Sequence, residues 1–127
     1  MARRLPTTSW TREPGQTDAM LRAVAISRDT VGSQSLYSSI VTTAPGGRTR
    51  VHHHGPCETS IYILSGHPRF TWGPTGVEEA LEAEPGDVVY IAAEEFHVEE
   101  NASTSEPLVV LVTRNCAEGI NVYRDDS

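Results

Sequence analysis

The stretch TRVHHHGPCETSIYILSG, residues 49–66, combines three consecutive histidines, a cysteine, a glutamate and an apolar run that ends at glycine. The run TSIYILS at residues 59–65 is rich in β-branched and aromatic residues, which predicts a strand. The shorter run RVHHH at residues 50–54 predicts another strand, because it stops at a Gly-Pro pair. The histidines therefore end one predicted strand, and the cysteine and glutamate precede the next.

Strand geometry divides the three histidines between two faces. Side chains two residues apart on a strand share a face, so His52 and His54 point to one side and His53 to the other. Two imidazoles on one face provide half of a metal site. The alternative is a pair of hydrogen-bonded polar side chains on a sheet face. A third histidine, His97, lies far along the chain in PGDVVYIAAEEFHVEEN and is flanked by predicted strands.

The rest of the chain also has the pattern of β-structure. Strand-length runs separated by glycine and proline occur at residues 19–27, 33–44, 50–54, 59–65, 68–72, 78–84, 87–92, 96–101, 107–114 and 120–124. Residues 1–18 are polar and contain proline and glycine. We therefore predict an all-β sandwich or small barrel over residues 19–124, preceded by an N-terminal arm at residues 1–18.

Composition excludes several kinds of partner. The 127 residues carry a net charge of −7, which argues against binding to nucleic acid or to an anionic membrane. No apolar stretch is long enough to span a membrane, and no signal peptide is expected from the first residues. Two distant cysteines argue only weakly for a disulfide, so the expected compartment is the cytoplasm.

The spacing of these residues resembles the two sequence motifs of the cupin superfamily, which comprises small β-barrels that hold one metal ion. The first motif falls on Gly46, His52, His54 and Gly66. The second falls on Gly86, His97 and Asn101, with Ala92 where proline is usual and Glu94 where glycine is usual. The resemblance implies a single-domain antiparallel β-sandwich or barrel of the jelly-roll type, with His52, His54 and His97 as metal ligands.

Two neighbouring residues compete for the place of a fourth ligand. Strand alternation counted back from Gly66 puts Cys57 and Thr59 on the apolar inner face and Glu58 opposite, although a one-residue bulge reverses this. The chain also resembles small cupins of aromatic polyketide pathways that carry H-x-H-x-x-[H/C]-E-T. That resemblance implies His52, His54, Cys57 and His97 as ligands, with Glu58 as the alternative ligand or as a hydrogen-bond partner of one.

The expected cofactor is one divalent transition metal per chain. A thiolate ligand suits Zn²⁺, Fe²⁺, Ni²⁺ or copper better than Mg²⁺ or Ca²⁺. The predicted inward-facing apolar side chains suggest a pocket for a hydrophobic or aromatic small molecule, although they are also needed to fill a barrel. The pocket residues are Tyr37, Ile61, Ile63, Phe70, Trp72 and Phe96.

Three functions are compatible with such a site. In the first, the metal is a Lewis acid on a carbonyl substrate, in cyclase-like, isomerase or lyase chemistry, and His97 or a bound water moves the proton. In the second, iron or copper supports a dioxygenase reaction. In the third, the chain binds a ligand without chemistry. The resemblance also implies a homodimer.

Overall fold

The computed structural model describes residues 1–124 and consists of two antiparallel β-sheets with little helix. The strands are β1 Thr11–Pro14, β2 Met20–Ile26, β3 Tyr37–Thr43, β4 His52–His53, β5 Thr59–Ser65, β6 Pro68–Trp72, β7 Glu79–Glu82, β8 Val88–Ile91, β9 His97–Asn101, β10 Leu108–Arg114 and β11 Val122–Tyr123. A 3₁₀ turn at Thr7–Ser9 and the short helix α1 at Arg28–Val31 complete the structure. Within residues 1–124, no helix is long and apolar enough to cross a membrane.

The two sheets form the β-sandwich that the sequence predicts. One sheet has the strand order β1-β2-β3-β10-β5-β8, and the other has the order β11-β4-β9-β6-β7. All strand pairs are antiparallel. Each of the predicted strand-length runs contains a strand, so the all-β fold class is confirmed.

The region expected as an arm contributes to a sheet. Strand β1 pairs with β2 in the register Thr11↔Val24 to Pro14↔Leu21 and forms an edge of the six-stranded sheet. Its sequence, TREP, lacks β-branched residues apart from Thr11 and ends in proline, which sheets accept mainly at their edges. These features explain why its sequence pattern did not predict a strand.

The interior between the sheets changes from apolar to polar along strand β10. Leu108, Val110 and Val112 are buried on one face of this strand and belong to the hydrophobic core. Arg114 continues the same face and is also buried, at the level of Thr59 and Tyr37 on the neighbouring strands. Each fully buried large apolar side chain contributes about 1.5–3 kcal/mol. The apolar end therefore stabilises the barrel, and the polar end is left for a site.

Two turns explain features of the sequence motifs. Gly66 has a φ of 94°, and a Cβ there would lie 2.7 Å from the backbone oxygen of Pro107, so only glycine fits. Glu94, which stands where the motif usually has glycine, also has a positive φ of 59°. The turn between β8 and β9 thus keeps the left-handed backbone although it lacks glycine.

Candidate metal centre

The three predicted histidine ligands converge inside the barrel. His52 begins β4, His54 follows that strand directly, and His97 begins β9, where it lies opposite His52 in the strand register. All three side chains are buried. One ring nitrogen of each lies within 4.8 Å of the others, a grouping able to hold a metal ion. Strand alternation thus predicted the pair, and the pairing of β4 with β9 adds the third member.

Backbone carbonyl groups orient each imidazole. Nδ1 of His52 lies 2.7 Å from the oxygen of Arg50, and Nδ1 of His54 lies 2.8 Å from the oxygen of Ile120. Nδ1 of His97 lies 2.9 Å from the oxygen of Glu95. A carbonyl oxygen only accepts, so each Nδ1 carries the proton and each Nε2 keeps its lone pair. This is the arrangement that metal-binding histidines usually show.

Burial keeps the three imidazoles neutral at physiological pH. Desolvation, followed by the effect of neighbouring His97, lowers the pKa of His52 from 6.5 to about 3. Desolvation and the charge of Arg114 lower the pKa of His54 to about 2. For His97, desolvation is also the largest cause and lowers the pKa to about 4. Since metal ions bind the neutral imidazole, the histidines hold the form that a metal requires.

Two N–H donors approach the lone pairs that a metal ion would take. Nε2 of Gln16 lies 3.0 Å from Nε2 of His52, and Nη2 of Arg114 lies 3.5 Å from Nε2 of His54. Groups with positive partial or full charge therefore already face these nitrogens. The three imidazoles, each with its Nδ1 bonded to a carbonyl oxygen, form a donor set that fits one divalent metal ion.

A small cavity of about 40 Å³ adjoins the histidines. A buried water molecule needs a cavity of roughly 10–15 Å³, so this cavity has room for about three water-sized groups. Several polar atoms among its lining residues are buried without a hydrogen-bond partner: Gln16 Oε1, Thr59 Oγ1, Glu99 Oε1, Arg114 Nε and Nη1, and Asn121 Oδ1. Buried polar atoms are rarely left unpaired, so the cavity is suited to a polar ligand.

Glu99 and Arg114 are site residues that the sequence argument missed. Glu99 is two residues after His97 on β9, so both side chains point inward, and burial raises the pKa of Glu99 from 4.5 to about 7 against the effect of Arg114. Burial lowers the pKa of Arg114 to about 10, which still leaves it charged at neutral pH. Alternation along β9 and β10 was the signal that could have identified both.

Cys57 is not a thiolate ligand in this structure. Its sulfur forms a disulfide with Cys116, and the side chain is 1% exposed. The covalent bond removes the thiolate, so the prediction of Cys57 as a ligand is wrong. The reasoning about faces was correct, because Cys57 and Thr59 are buried whereas Glu58 and Ser60 are exposed.

Glu58 is excluded as the alternative ligand by its position on the outer face. Its carboxylate accepts hydrogen bonds from the hydroxyl of Tyr90, at 2.6 Å, and from the side-chain amide of Asn115, at 3.1 Å. The register irregularity of β5 lies beyond Ile63, and residues 57–63 alternate regularly between buried and exposed, so Glu58 neither points into the barrel nor supports a histidine ligand. Thr59 occupies the inward position instead.

The predicted pocket residues divide among different surroundings. Ile61 lines the cavity beside the histidines, but Ile63 and Phe70 are completely buried in the apolar core. Tyr37 lines a separate cavity of about 180 Å³, and only Arg22 lines both spaces. The six residues therefore do not form the single apolar pocket that the sequence suggested, and three of them, Ile61, Ile63 and Phe70, belong to the hydrophobic core.

The two remaining aromatic residues lie on opposite faces of their sheet. Trp72 is half-buried and pairs with His97 across β6 and β9, so both side chains share the inner face. The ring of Phe96 lies 4.8 Å from the ring of His53, which points away from the other two histidines. Phe96 is therefore not a pocket residue. Adjacent residues of an extended chain point to opposite faces, so the prediction that placed both Phe96 and His97 inside was wrong for Phe96.

Comparisons with known proteins agree with this architecture. Residues 39–114 match the model of the Cupin domain family. A search of curated proteins found no match. Among solved structures, the S161A mutant of Bacillus subtilis oxalate decarboxylase is similar, with a TM-score of 0.75 and 27% identity over 87% of this chain and 29% of that chain.

Two other decarboxylase structures show the same similarity. A structure of the B. subtilis enzyme from a study of its Mn(II) centres has a TM-score of 0.75 and 28% identity, over 87% of this chain and 29% of that chain. The formate complex of Lactobacillus farciminis oxalate decarboxylase gives 0.77 and 21%, over 91% and 34%. This chain thus spans about a third of the length of these enzymes. With its fold, its three-histidine group and a family match across more than half of its length, the chain belongs to the cupin family.

Proposed function

We propose that this cupin is a mononuclear metal-dependent enzyme that acts on a small, polar carbonyl or carboxylate compound. One observation carries the proposal: the Nε and Nη1 atoms of Arg114 are buried without partners, in the same cavity as the histidine group. A buried cation whose N–H groups lack hydrogen-bond acceptors is costly unless a ligand supplies them. A substrate carboxylate provides that compensation.

The residues divide the work between holding the metal and holding the substrate. His52, His54 and His97 hold the ion through their Nε2 atoms. When bound, the ion acts as a Lewis acid that polarises a carbonyl or carboxylate oxygen. The guanidinium of Arg114 offers the planar pair of N–H donors that matches a carboxylate, so it binds and orients the substrate.

The cavity supports a smaller and more polar substrate than the sequence suggested. Its volume of about 40 Å³ suits a compound of a few non-hydrogen atoms. Its unpaired donors and acceptors are unsuited to a large aromatic molecule. Similarity to oxalate decarboxylases at 27–28% identity supports a small carboxylate as well. Polyketide-cyclase-like chemistry loses support accordingly.

Proton transfer is assigned to Glu99 in this proposal, in place of His97. Neither ring nitrogen of His97 is available for proton transfer, since Nδ1 donates a hydrogen bond to the backbone oxygen of Glu95 and Nε2 is the proposed metal ligand. Glu99 is buried beside the same cavity, and its Oε1 has no partner. A carboxyl group so placed can hold a proton at Oε1 and exchange it with a substrate.

The metal and the compartment are parts of the same proposal. Three imidazoles without a thiolate suit Mn²⁺ and Fe²⁺ as well as Zn²⁺, Ni²⁺ and copper. The Cys57–Cys116 disulfide favours an oxidising compartment over the cytoplasm that the sequence predicts. Thiol titration of protein purified under non-reducing conditions distinguishes these two compartments, because free thiols would support the cytoplasmic prediction.

The homodimer that the cupin resemblance implies gains support from the outer face of the six-stranded sheet. Val88, Tyr62, Leu111 and Ile40 are cross-strand neighbours in one row across four strands. Tyr62 is 40% exposed and Val88 is 61% exposed. Contiguous exposed apolar surface marks interaction sites. We expect Tyr62→Glu to dissociate a dimer in size-exclusion chromatography with light scattering.

Binding of oxalate as the first probe tests the substrate proposal. Wild type, Arg114→Met and the matched control Arg69→Met, a half-exposed arginine paired with Glu100, are loaded with Mn²⁺ and titrated calorimetrically. We expect about tenfold or greater loss of oxalate affinity for Arg114→Met alone, with metal content unchanged. Equal affinity in all three proteins overturns the role of Arg114.

Turnover assays separate the three candidate functions. Oxygen-independent release of CO₂ or rearrangement of a carbonyl compound supports the Lewis-acid enzyme. Loss of activity without O₂ supports a dioxygenase. Tight metal and carboxylate binding without any turnover supports a non-catalytic binding protein.

A further inference from the structure

We propose that Gln16 supplies a fourth ligand to the metal through its side-chain oxygen Oε1. The inference rests on the proposed metal site and adds a residue from outside both cupin motifs. The residue comes from the turn between β1 and β2, a region that the sequence predicted to be an arm outside the barrel.

The turn that carries Gln16 is fixed against the barrel. The backbone N–H of Gly15 donates to the oxygen of Met20, and the N–H of Met20 donates to the oxygen of Thr17, both at 3.0 Å. The hydroxyl of Thr17 donates to the oxygen of Arg48 at 3.2 Å. A Cβ at residue 15 would lie 2.5 Å from the Cβ of Met20, so glycine is required there. These contacts hold Gln16 over the histidine group.

The side-chain amide of Gln16 already contacts one of the metal-binding atoms. Its Nε2 lies 3.0 Å from Nε2 of His52, whose lone pair accepts the hydrogen bond because Nδ1 of that ring is the donor to Arg50. The other amide atom, Oε1 of Gln16, is buried and has no hydrogen-bond partner. An amide with a satisfied nitrogen and an orphaned oxygen is suited to turn over when its surroundings change.

Metal binding supplies that change. With a metal ion at the lone pair of His52, the N–H of Gln16 would lose its acceptor and would face a cation instead. Rotation of the amide plane by half a turn would exchange the two amide atoms and place Oε1 where Nε2 of Gln16 now lies, which is 3.0 Å from Nε2 of His52. Neighbouring ligands of one ion lie about 3.0–3.4 Å apart, depending on the coordination number, when metal–ligand bonds are about 2.1 Å. The side-chain amide of Gln16 would thus face His52 Nε2 through its nitrogen in the metal-free protein and through its oxygen in the metal-bound protein.

The other possible donors near the histidines are less suitable. Cys57 is consumed in the disulfide, and Glu58 lies on the outer face. Within residues 1–124, the group able to hold a metal consists of the three histidines and includes no Asp, Glu or Cys, so Glu99 is not one of its members. A neutral oxygen ligand also leaves the full charge of the ion in place beside Arg114, which suits an anionic substrate.

Co²⁺ binding to the full chain tests the inference without reference to activity. The visible d–d spectrum and calorimetric affinity are measured for wild type, Gln16→Leu and Gln16→Glu. Gln34→Leu, at an exposed position, is the matched control. We expect Gln16→Leu to weaken Co²⁺ binding about tenfold or more and to change the spectrum, because a ligand is lost. We expect Gln16→Glu, which keeps an oxygen, to bind at least as tightly as wild type.

The outcomes separate this inference from the metal site itself. Wild-type affinity and spectrum in Gln16→Leu overturn the role of Gln16 and leave the three-histidine site intact. Failure of the wild-type chain to bind Co²⁺ overturns the metal site, and the inference with it. Gln16→Leu also removes a hydrogen bond, so circular dichroism of each metal-free variant is used to verify folding. If the leucine variant is misfolded, Gln16→Glu is the deciding variant. Weaker Co²⁺ binding by Gln16→Glu than by wild type then overturns the inference.

Discussion

His54 donates its Nδ1–H to the backbone oxygen of Ile120, which lies 2.8 Å away in space and 66 positions along the chain. The segment that carries this oxygen follows β10 and is tied to the histidine segment by the disulfide between Cys57 and Cys116. One cross-link thus holds together a metal-binding residue and the group that orients it. The orientation of His54 depends on that connection, because hydrogen-bond partners of metal ligands set their tautomer and direction.

The disulfide should therefore affect both stability and metal affinity. Its two cysteines are 59 positions apart. Closing a loop of that size stabilises a protein by about 4 kcal/mol in the chain-entropy description. We expect Cys57→Ser/Cys116→Ser to lower the free energy of unfolding by roughly 2–5 kcal/mol and to weaken metal binding by about tenfold. Urea unfolding and Co²⁺ titration measure these effects. Unchanged metal affinity would show that Ile120 stays in place without the cross-link.

Single substitutions should distinguish the three buried histidines from the others. We expect His52→Ala, His54→Ala and His97→Ala each to bind less than a tenth as much metal as wild type at the same free concentration, since each removes a direct ligand. His67→Ala, at an exposed position, is the control. Elemental analysis of untagged protein gives the stoichiometry, with one ion per wild-type chain expected. Retention of metal by His97→Ala would contradict the proposed ligand set.

Acid should destabilise the metal-free protein. The pKa values of His52, His54 and His97 are lowered in the folded state from 6.5 to about 3, 2 and 4. Below pH 6.5 the unfolded chain binds protons that the folded chain does not. The stability contributed by the neutral histidines is therefore complete above pH 6.5 and is lost as the pH falls towards 4 and below. The maximum slope for three groups is roughly 4 kcal/mol per pH unit.

Glu99 opposes this trend at higher pH. Its pKa is raised to about 7 in the folded state, so its ionisation costs stability above pH 7, and the cost is relieved as the pH falls to 4.5. Unfolding by urea in EDTA between pH 8 and pH 4 measures both effects, with Glu99→Gln removing the second. A stability that stays constant from pH 6.5 to 4.5 in Glu99→Gln contradicts the assigned burial of the histidines.

The turn at Glu94 should become more stable with glycine. A non-glycine residue in the left-handed region costs roughly 1–2 kcal/mol, whereas glycine loses about 0.5–1 kcal/mol more backbone entropy on folding. We expect Glu94→Gly to raise the free energy of unfolding by about 0.5–1 kcal/mol. Glu95→Gly, in the neighbouring position without positive φ, is the control and should be neutral or destabilising. Thermal unfolding of wild type and the two variants measures these changes in the free energy of unfolding, and a Glu94→Gly variant that is no more stable than wild type contradicts the prediction.

Local pattern was sufficient for the fold and for the inward pair of histidines. Alternation from Thr59 to Ile63 assigned the two faces of β5 correctly, and the Gly and Pro breaks separated the later strands. The resemblance to the second cupin motif identified His97, whose position opposite His52 depends on pairing between β4 and β9. Strand β1 was not predicted because an edge strand needs no apolar alternation and tolerates proline.

The amino-acid sequence by itself determined the β-sandwich and the inward pair His52 and His54, because period-two alternation and turn residues act within a few positions of the chain. The resemblance to the cupin motifs added His97. Only the tertiary structure decided the rest of the site. It closed Cys57 into a bond with Cys116, placed Glu58 outside, and brought Gln16 and Arg114 to the histidines. Such contacts join residues tens of positions apart, and they depend on which strands pair and in what register, which no local pattern encodes.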